Sequence, residues 1–74
     1  MFGMAVNARQ LKKLGAKVRK LRKARRLTQE ELAAEVRVSA AYIGFIEQGI
    51  RNPSLNTADK LARVLRVKLS DLFD

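Results

Sequence analysis

Two short helical patterns separated by three residues stand at the centre of this chain and constrain its fold more than any other feature. The first pattern runs from Gln29 to Val36, and the second begins after Ser39. Thr28 and Glu31 form a T-x-x-E capping box, in which each side chain bonds the other residue's backbone N–H at the start of a helix. Two short helices joined by so short a turn are typical of a helix-turn-helix.

Further helices are predicted around this pair. Asn7 can cap a first helix over residues 8–25, whose apolar side chains recur every three or four residues. Ser54 opens a fourth helix, and Ser70 caps a last turn that ends at Asp74. No segment alternates at period two, which would indicate a strand. We therefore predict an all-α fold of five helices.

The apolar positions of these segments predict one buried core. Leu27 and Leu32 stand where a hydrophobic staple packs across the start of a helix. Ala33 is small at the point where the paired helices approach most closely, and Gly49 ends the second helix of the pair. The other residues expected to point inward are Leu11, Leu14, Val18, Leu21, Val36, Val38, Ile43, Ile46, Leu55, Ala58, Leu61, Ala62 and Leu65.

The residue types present exclude several kinds of site. With 74 residues, of which 47% are hydrophobic, we expect one folded domain over residues 1–74, with residues 1–7 as a flexible N-terminus. The chain has no Cys and no His, which removes disulfides, the usual zinc ligands and the commonest general base. We expect no metal, no cofactor and no enzymatic activity. No apolar run approaches the roughly 18 residues of a membrane span, so a cytoplasmic protein is expected.

The chain has a formal charge of +9, and its basic residues are concentrated near the N-terminus. Ten of the 16 Lys and Arg residues lie between Arg9 and Arg26, and no acidic residue precedes Glu30. This asymmetry favours a polyanion as partner, either nucleic acid or an anionic membrane surface. A membrane-surface helix would need the apolar stripe that the core uses, so nucleic acid is the favoured partner.

Three stretches of the sequence resemble the Cro/repressor-type helix-turn-helix regulators: L-T-Q-E-E-L-A (27–33), Y-I-G-F-I-E-Q-G (42–49) and R-N-P-S-L (51–55). The nearest resemblance is to the short controller proteins of restriction–modification systems. It implies a compact five-helix, lambda-repressor-like domain that binds double-stranded operator DNA of (pseudo)palindromic sequence as a homodimer and regulates transcription. An antitoxin-type protein-interaction module on the same fold is the alternative, and no small-molecule ligand is evident.

The resemblance also implies roles for individual positions, with residues 40–48 as the recognition helix. The positions that face the bases in the major groove are Ala40, Ala41, Gly44 and Phe45. Those that touch the DNA backbone are Gln29, Ser39, Tyr42, Arg51 and Asn52. Arg22 and Glu47 match a basic–acidic pair that ties the first helix to the recognition helix.

The four base-facing positions lack any side chain that can hydrogen-bond a base edge. Many relatives carry Gln, Arg, Thr or Ser there, whereas this chain has only Ala, Gly and Phe. The Ala methyl groups and the Phe45 ring can instead contact thymine C5-methyl groups, so we expect T-rich half-sites. In the alternative reading, Phe45 turns back to cover Tyr42 or the first helix, and the alanines are simply good helix formers.

The chain departs from the family at three helix ends, because Arg26, Arg37 and Arg66 stand where members usually have Gly. Gly is favoured there since the residue after a helix is often left-handed, a conformation that costs other residues roughly 1–2 kcal/mol. We predict that the turn at Arg37 keeps its left-handed geometry at some cost in strain.

One short recognition helix reads only a few base pairs, so a two-fold dimer is expected. The predicted interface is Leu69, Leu72 and Phe73, which are crowded together with Val67 near the C-terminus. We expect one of the two residues Leu72 and Phe73 to close the core. The remaining one of these two should stay exposed together with Leu69. Alternatively, all four fill the core and the contacts come from Met1, Phe2 and Met4.

Overall fold

The computed structural model describes residues 7–74, which form four α-helices and one 3₁₀ helix. Residues 1–6 lie outside the described residues. The alternative interface at Met1, Phe2 and Met4 lies there too, as does most of the N-terminus that was expected to be flexible. No strand occurs within 7–74, so the all-α prediction agrees with this part of the chain. The α-helices are α1 (Ala8–Ala24), α2 (Gln29–Val36), α3 (Ala40–Glu47) and α4 (Leu55–Leu65).

Side-chain caps set the start of every α-helix at the residue that the sequence indicated. The Oγ1 atom of Thr28 accepts a hydrogen bond from the Glu31 N–H at 3.0 Å, and the Thr28 N–H donates to the Glu31 carboxylate at 2.8 Å. Asn7 forms a second capping box at α1. Ser39 and Ser54 accept from backbone N–H groups at the starts of α3 and α4. Because such caps satisfy N–H groups that have no partner within the helix, they fix where each helix begins.

The fifth element differs from the expected α-helical turn. It is a 3₁₀ helix, Leu69–Phe73, and it begins before the predicted cap at Ser70. The carboxylate of Asp71 accepts from the Lys68 N–H at 2.9 Å, so Asp71 rather than a serine hydroxyl fixes the start. Leu72 of this element is buried in the core, and residues 7–74 form four α-helices and one 3₁₀ helix where five helices were predicted.

Three helices end at an arginine in the left-handed region, as predicted for Arg37. The φ angles of Arg26, Arg37 and Arg66 are 58°, 65° and 60°, and Gly49 after α3 has a φ of 77°. In all four turns, the N–H of the residue after the left-handed one bonds a carbonyl five residues back. These bonds are Leu27 to Arg22, Val38 to Ala33, Ile50 to Phe45 and Val67 to Ala62.

The four α-helices and the 3₁₀ helix share one core. Its buried side chains come from every element: Leu14, Val18, Leu32, Ala33, Val36, Ile43, Ile46, Ala58, Leu61, Ala62, Leu65 and Leu72. Leu11, Leu21, Leu27 and Val38 pack against it while partly exposed. One inward prediction is wrong: Leu55, in the first turn of α4, is 42% exposed.

Candidate nucleic-acid interface

An exposed strip runs along the side of α3 that faces away from the core. Ala41 and Phe45 lie on it, and Phe45 is 43% exposed. Gln48 follows Ala41 by seven residues, nearly two full helical turns, and its backbone is still right-handed and helical, so it lies on the same side. The strip therefore ends in an exposed amide that can both donate and accept hydrogen bonds.

Sequence reasoning missed Gln48 because it considered only four positions of the recognition helix. The signal was present, since Ala41 and Gln48 are separated by the i to i+7 spacing of one helix face. Its side chain is an exposed hydrogen-bonding group of the kind that the four expected base-facing positions lack.

The other two expected base-facing residues are less accessible. Ala40 is half-buried and packs against the core. Gly44 is buried, and the Oε1 and Nε2 atoms of Gln29 both lie 3.8 Å from the point that a Cβ of residue 44 would occupy. The expectation that Gly44 points outward is wrong, because the start of α2 covers this part of α3.

The residues expected at the DNA backbone lie at the two ends of α3 and at the start of α2. Ser39 caps α3 and is exposed, and Tyr42 is half-buried against the core. At the other end, the N–H groups of Ile50 and Arg51 both donate to the Phe45 carbonyl, at 2.9 and 3.3 Å. This turn holds Arg51 and the neighbouring Asn52, which are both exposed, beside the C-terminal end of α3.

The structure brings Arg22 and Glu47 together in a two-pronged ion pair. The Nε and Nη2 atoms of Arg22 donate to the two carboxylate oxygens of Glu47 at 2.6 and 3.1 Å. The Arg22 Nη1 atom donates to the Leu27 carbonyl at 2.8 Å, and the Gln29 amide donates to Glu47 at 3.1 Å. Both charged side chains are at most 10% exposed. One carboxylate thus joins the start of α2, the last part of α1 and the end of α3.

The Arg22 guanidinium keeps its charge over a wide pH range. The hydrogen bond to Glu47 raises the pKa of the Arg22 guanidinium above its usual value, while burial opposes that shift. A raised pKa in the folded state stabilises the fold at every pH below the unfolded-state pKa, and the stabilisation is lost only as pH rises through the folded-state pKa. Since both values lie in the strongly alkaline range, Arg22 stays charged near neutral pH.

A glycine in α1 sets the distance between α1 and α3. A Cβ added at Gly15 would overlap the Ile46 carbonyl oxygen and lie 2.6 Å from the Glu47 carbonyl oxygen. Only a residue without a side chain lets the two backbones approach this closely. Together with the ion pair, this contact fixes the orientation of α3 on the rest of the fold. Sequence reasoning missed Gly15, since a close approach between helices distant in the chain has no local signature.

The predicted dimer residues are not all available at the surface. Leu72 is 1% exposed and closes the core, which is one of the two alternatives expected, so it is not available to the interface to which it was also assigned. Leu69 is half-buried and lines a shallow depression with Leu55, Asn56 and Asp59. Phe73 is 39% exposed and lies beside the first turns of α1 instead. Leu69 and Phe73 therefore belong to two different faces.

None of the helices in residues 7–74 is both long and apolar enough to cross a membrane. Over the same residues, no three acidic side chains cluster in a way that could hold a metal ion.

Comparison with known proteins agrees with this geometry. A helix-turn-helix family model (HTH_3) matches residues 18–72. An HTH-type transcriptional regulator of Archaeoglobus fulgidus is 46% identical over 57 residues, which cover 77% of this chain and 81% of the relative. The restriction–modification controller protein C.AhdI of Aeromonas hydrophila superposes with a TM-score of 0.82 at 41% identity, over 85% of this chain and 96% of that one. SinR, a master regulator for biofilm formation solved in complex with DNA, superposes with a TM-score of 0.78 at 31% identity, over 82% of this chain and 98% of that one.

Proposed function

Because the chain belongs to the HTH_3 helix-turn-helix family, whose members here include transcriptional regulators and controller proteins, we propose that it is a sequence-specific regulator of transcription. In this proposal α3 enters the major groove of duplex DNA, and two copies bind a (pseudo)palindromic operator. The observation that carries the proposal is the exposed strip of Ala41, Phe45 and Gln48 on a helix held rigidly by Gly15 and the Arg22–Glu47 pair.

Base readout in this proposal combines apolar contact with one amide. The Ala41 methyl group and the Phe45 ring contact thymine C5-methyl groups, and the Gln48 amide can donate to and accept from an adenine edge. Ala40 and Gly44 then lie at the margin of the contact, where their small size lets the helix approach the bases. The half-sites are accordingly rich in A·T pairs, and deformable steps between them add to specificity without being touched.

Contacts to the DNA backbone position the recognition helix and carry no sequence information. In the proposal Ser39, Tyr42 and Gln29 bind one strand near the starts of α3 and α2, where backbone N–H groups favour a phosphate. Arg51 and Asn52 bind beyond the other end of α3. Gln29 reaches the DNA with its amide oriented by Glu47, so the ion pair also positions a contact residue.

The size of the fold supports a dimer in this proposal. Half-sites of an operator are separated by about 34–36 Å, whereas the longest dimension of this fold is 30 Å and it has one recognition helix. A second copy is therefore needed to read a second half-site. The face that we propose for the two-fold contact contains Leu55 and Leu69, since exposed Leu55 extends the apolar surface of half-buried Leu69.

Selection of binding sites from random duplex DNA tests the proposal. We expect enrichment of inverted repeats with A·T-rich half-sites one helical turn apart. Phe45→Ala is the informative variant, because loss of the ring removes the thymine preference while the phosphate contacts remain. G-rich half-sites would contradict apolar readout, and a pool with no enriched sequence would contradict specific DNA binding altogether.

A further inference from the structure

A groove lies where the C-terminal ends of α1, α2 and α4 meet. It consists of two adjoining depressions of about 380 and 370 Å³, which share Glu35, Arg63 and Val64 as lining residues. We call it the C-terminal groove. The proposed DNA interface and the Leu55–Leu69 face contribute no residue to it. Helix α2 rises about 1.5 Å per residue, so Val36, its last residue and part of the groove, lies about 10 Å along the helix from Gln29, its first residue and part of the proposed DNA interface.

The rim of the C-terminal groove is strongly basic. Five cationic side chains line it, Arg25, Arg37, Lys60, Arg63 and Arg66, against the single carboxylate of Glu35. Within residues 7–74, ion pairs join only Arg22 to Glu47 and Arg63 to Asp59. Four of the five rim cations therefore face the solvent without a carboxylate partner in the described part of the chain.

The floor of the groove is apolar. Leu27, Val36 and Val64 line it, and Leu27 and Val64 keep part of their surface exposed. A nucleic-acid backbone would gain nothing from such a floor, because phosphates and sugars have no aliphatic side chains to cover it. A peptide with carboxylates and aliphatic side chains matches both the rim and the floor, because its carboxylates can bind the rim cations and its aliphatic groups can cover the floor.

We infer that the C-terminal groove is a docking site for an acidic, leucine-containing segment of a partner protein. The site is separate from the DNA interface, so the segment binds whether or not DNA is present. The rim charges and the apolar floor define this site, whichever operator the protein reads.

Titration of the full-length protein with a short capped peptide, followed by amide NMR shifts, tests this inference. The probe alternates aspartate and leucine, and two matched peptides replace either all aspartates by asparagine or all leucines by serine. We expect shifts at Val36, Val64 and Leu27 with the first peptide. The asparagine peptide should produce none, and the serine peptide should bind about fivefold more weakly or worse, since burial of one leucine contributes at least that much.

Variants of exposed basic residues provide the control. Replacing Arg25 and Lys60 together by Gln should weaken peptide binding about fivefold, because each exposed charge contact contributes a few tenths to one kcal/mol. Replacing Lys13 and Arg19 by Gln, which are exposed on α1 away from the groove, should leave it unchanged.

Four results would overturn the inference. Equal losses in both double variants, or shifts spread along α1, would mean diffuse attraction between opposite charges. Equal binding of the leucine and serine peptides would mean that the floor is not used. Random duplex DNA that displaces the peptide and shifts the same groove amides would assign the groove to nucleic acid.

Discussion

The buried carboxylate of Glu47 is the residue on which the position of α3 depends most. We expect Glu47→Gln to lower the free energy of unfolding by about 3–5 kcal/mol, because the Arg22 charge would remain buried without its partner. Urea denaturation followed by circular dichroism measures the change. Asp59→Asn is the matched control, since the Asp59–Arg63 pair is exposed and worth about 0–1 kcal/mol. Equal stability of Glu47→Gln and the wild-type protein would rule out a structural role for the pair.

Two glycines in helices should respond oppositely to the same substitution. Gly15→Ala is expected to destabilise the fold by about 1–3 kcal/mol or more, because its Cβ would overlap backbone carbonyls that cannot move independently. Gly44→Ala is expected to stabilise it by about 0.5–1 kcal/mol, since its Cβ makes ordinary contact with Gln29 and alanine favours a helix. Thermal unfolding of both variants checks this pair. If both variants unfolded at the same temperature, the close approach of α1 and α3 would be wrong.

At the scale of elements, the left-handed turns after α1, α2 and α4 contain strain that glycine would relieve. Arg37→Gly should raise the unfolding temperature by a few degrees, because relief of roughly 1–2 kcal/mol exceeds the roughly 0.3–1 kcal/mol that a cation contributes at a helix end. Arg25→Gly is the control, since Arg25 also stands at a helix end but has a φ of −94°. There glycine only adds freedom to the unfolded chain, and the unfolding temperature should fall. A drop for Arg37→Gly as large as that for Arg25→Gly would contradict the account of strain.

The starts of the four α-helices were predictable because local chemistry sets them, whereas the 3₁₀ helix starts through Lys68 and Asp71 and not at the predicted Ser70. The caps at Thr28, Ser39 and Ser54 depend on residues three positions apart, and the helix starts follow from them. The sequence could not show that Leu55 is exposed or that Gly44 is covered, because both depend on which element packs over them. The Arg22–Glu47 contact was suggested by family resemblance and not by a local pattern, because the two residues are 25 positions apart in the chain.

At the scale of the whole molecule, assembly should depend on the face that contains Leu55 and Leu69. Leu55→Asp is expected to convert a dimer into a monomer at micromolar concentration without changing the unfolding transition of the monomer, because Leu55 is already 42% exposed. Ile50→Asp is the matched control, since Ile50 is 59% exposed and lies outside that face. Analytical ultracentrifugation distinguishes the two states. A Leu55→Asp protein that stays dimeric would place the interface elsewhere, and a monomeric Phe73→Asp protein would place it beside α1.

The most direct test of specific DNA binding is the ratio of two dissociation constants measured at two salt concentrations. One duplex contains the selected operator, and the other contains the same base pairs in scrambled order. We predict that the operator binds at least about 10³-fold more tightly, and that Phe45→Ala reduces this ratio. Added salt should weaken both complexes steeply, with a slope of about −0.9 in log K per phosphate contacted, and leave most of the ratio intact. A ratio near one at both salt concentrations would show that the protein binds DNA only through its charge, which would contradict the proposed reading of bases by α3.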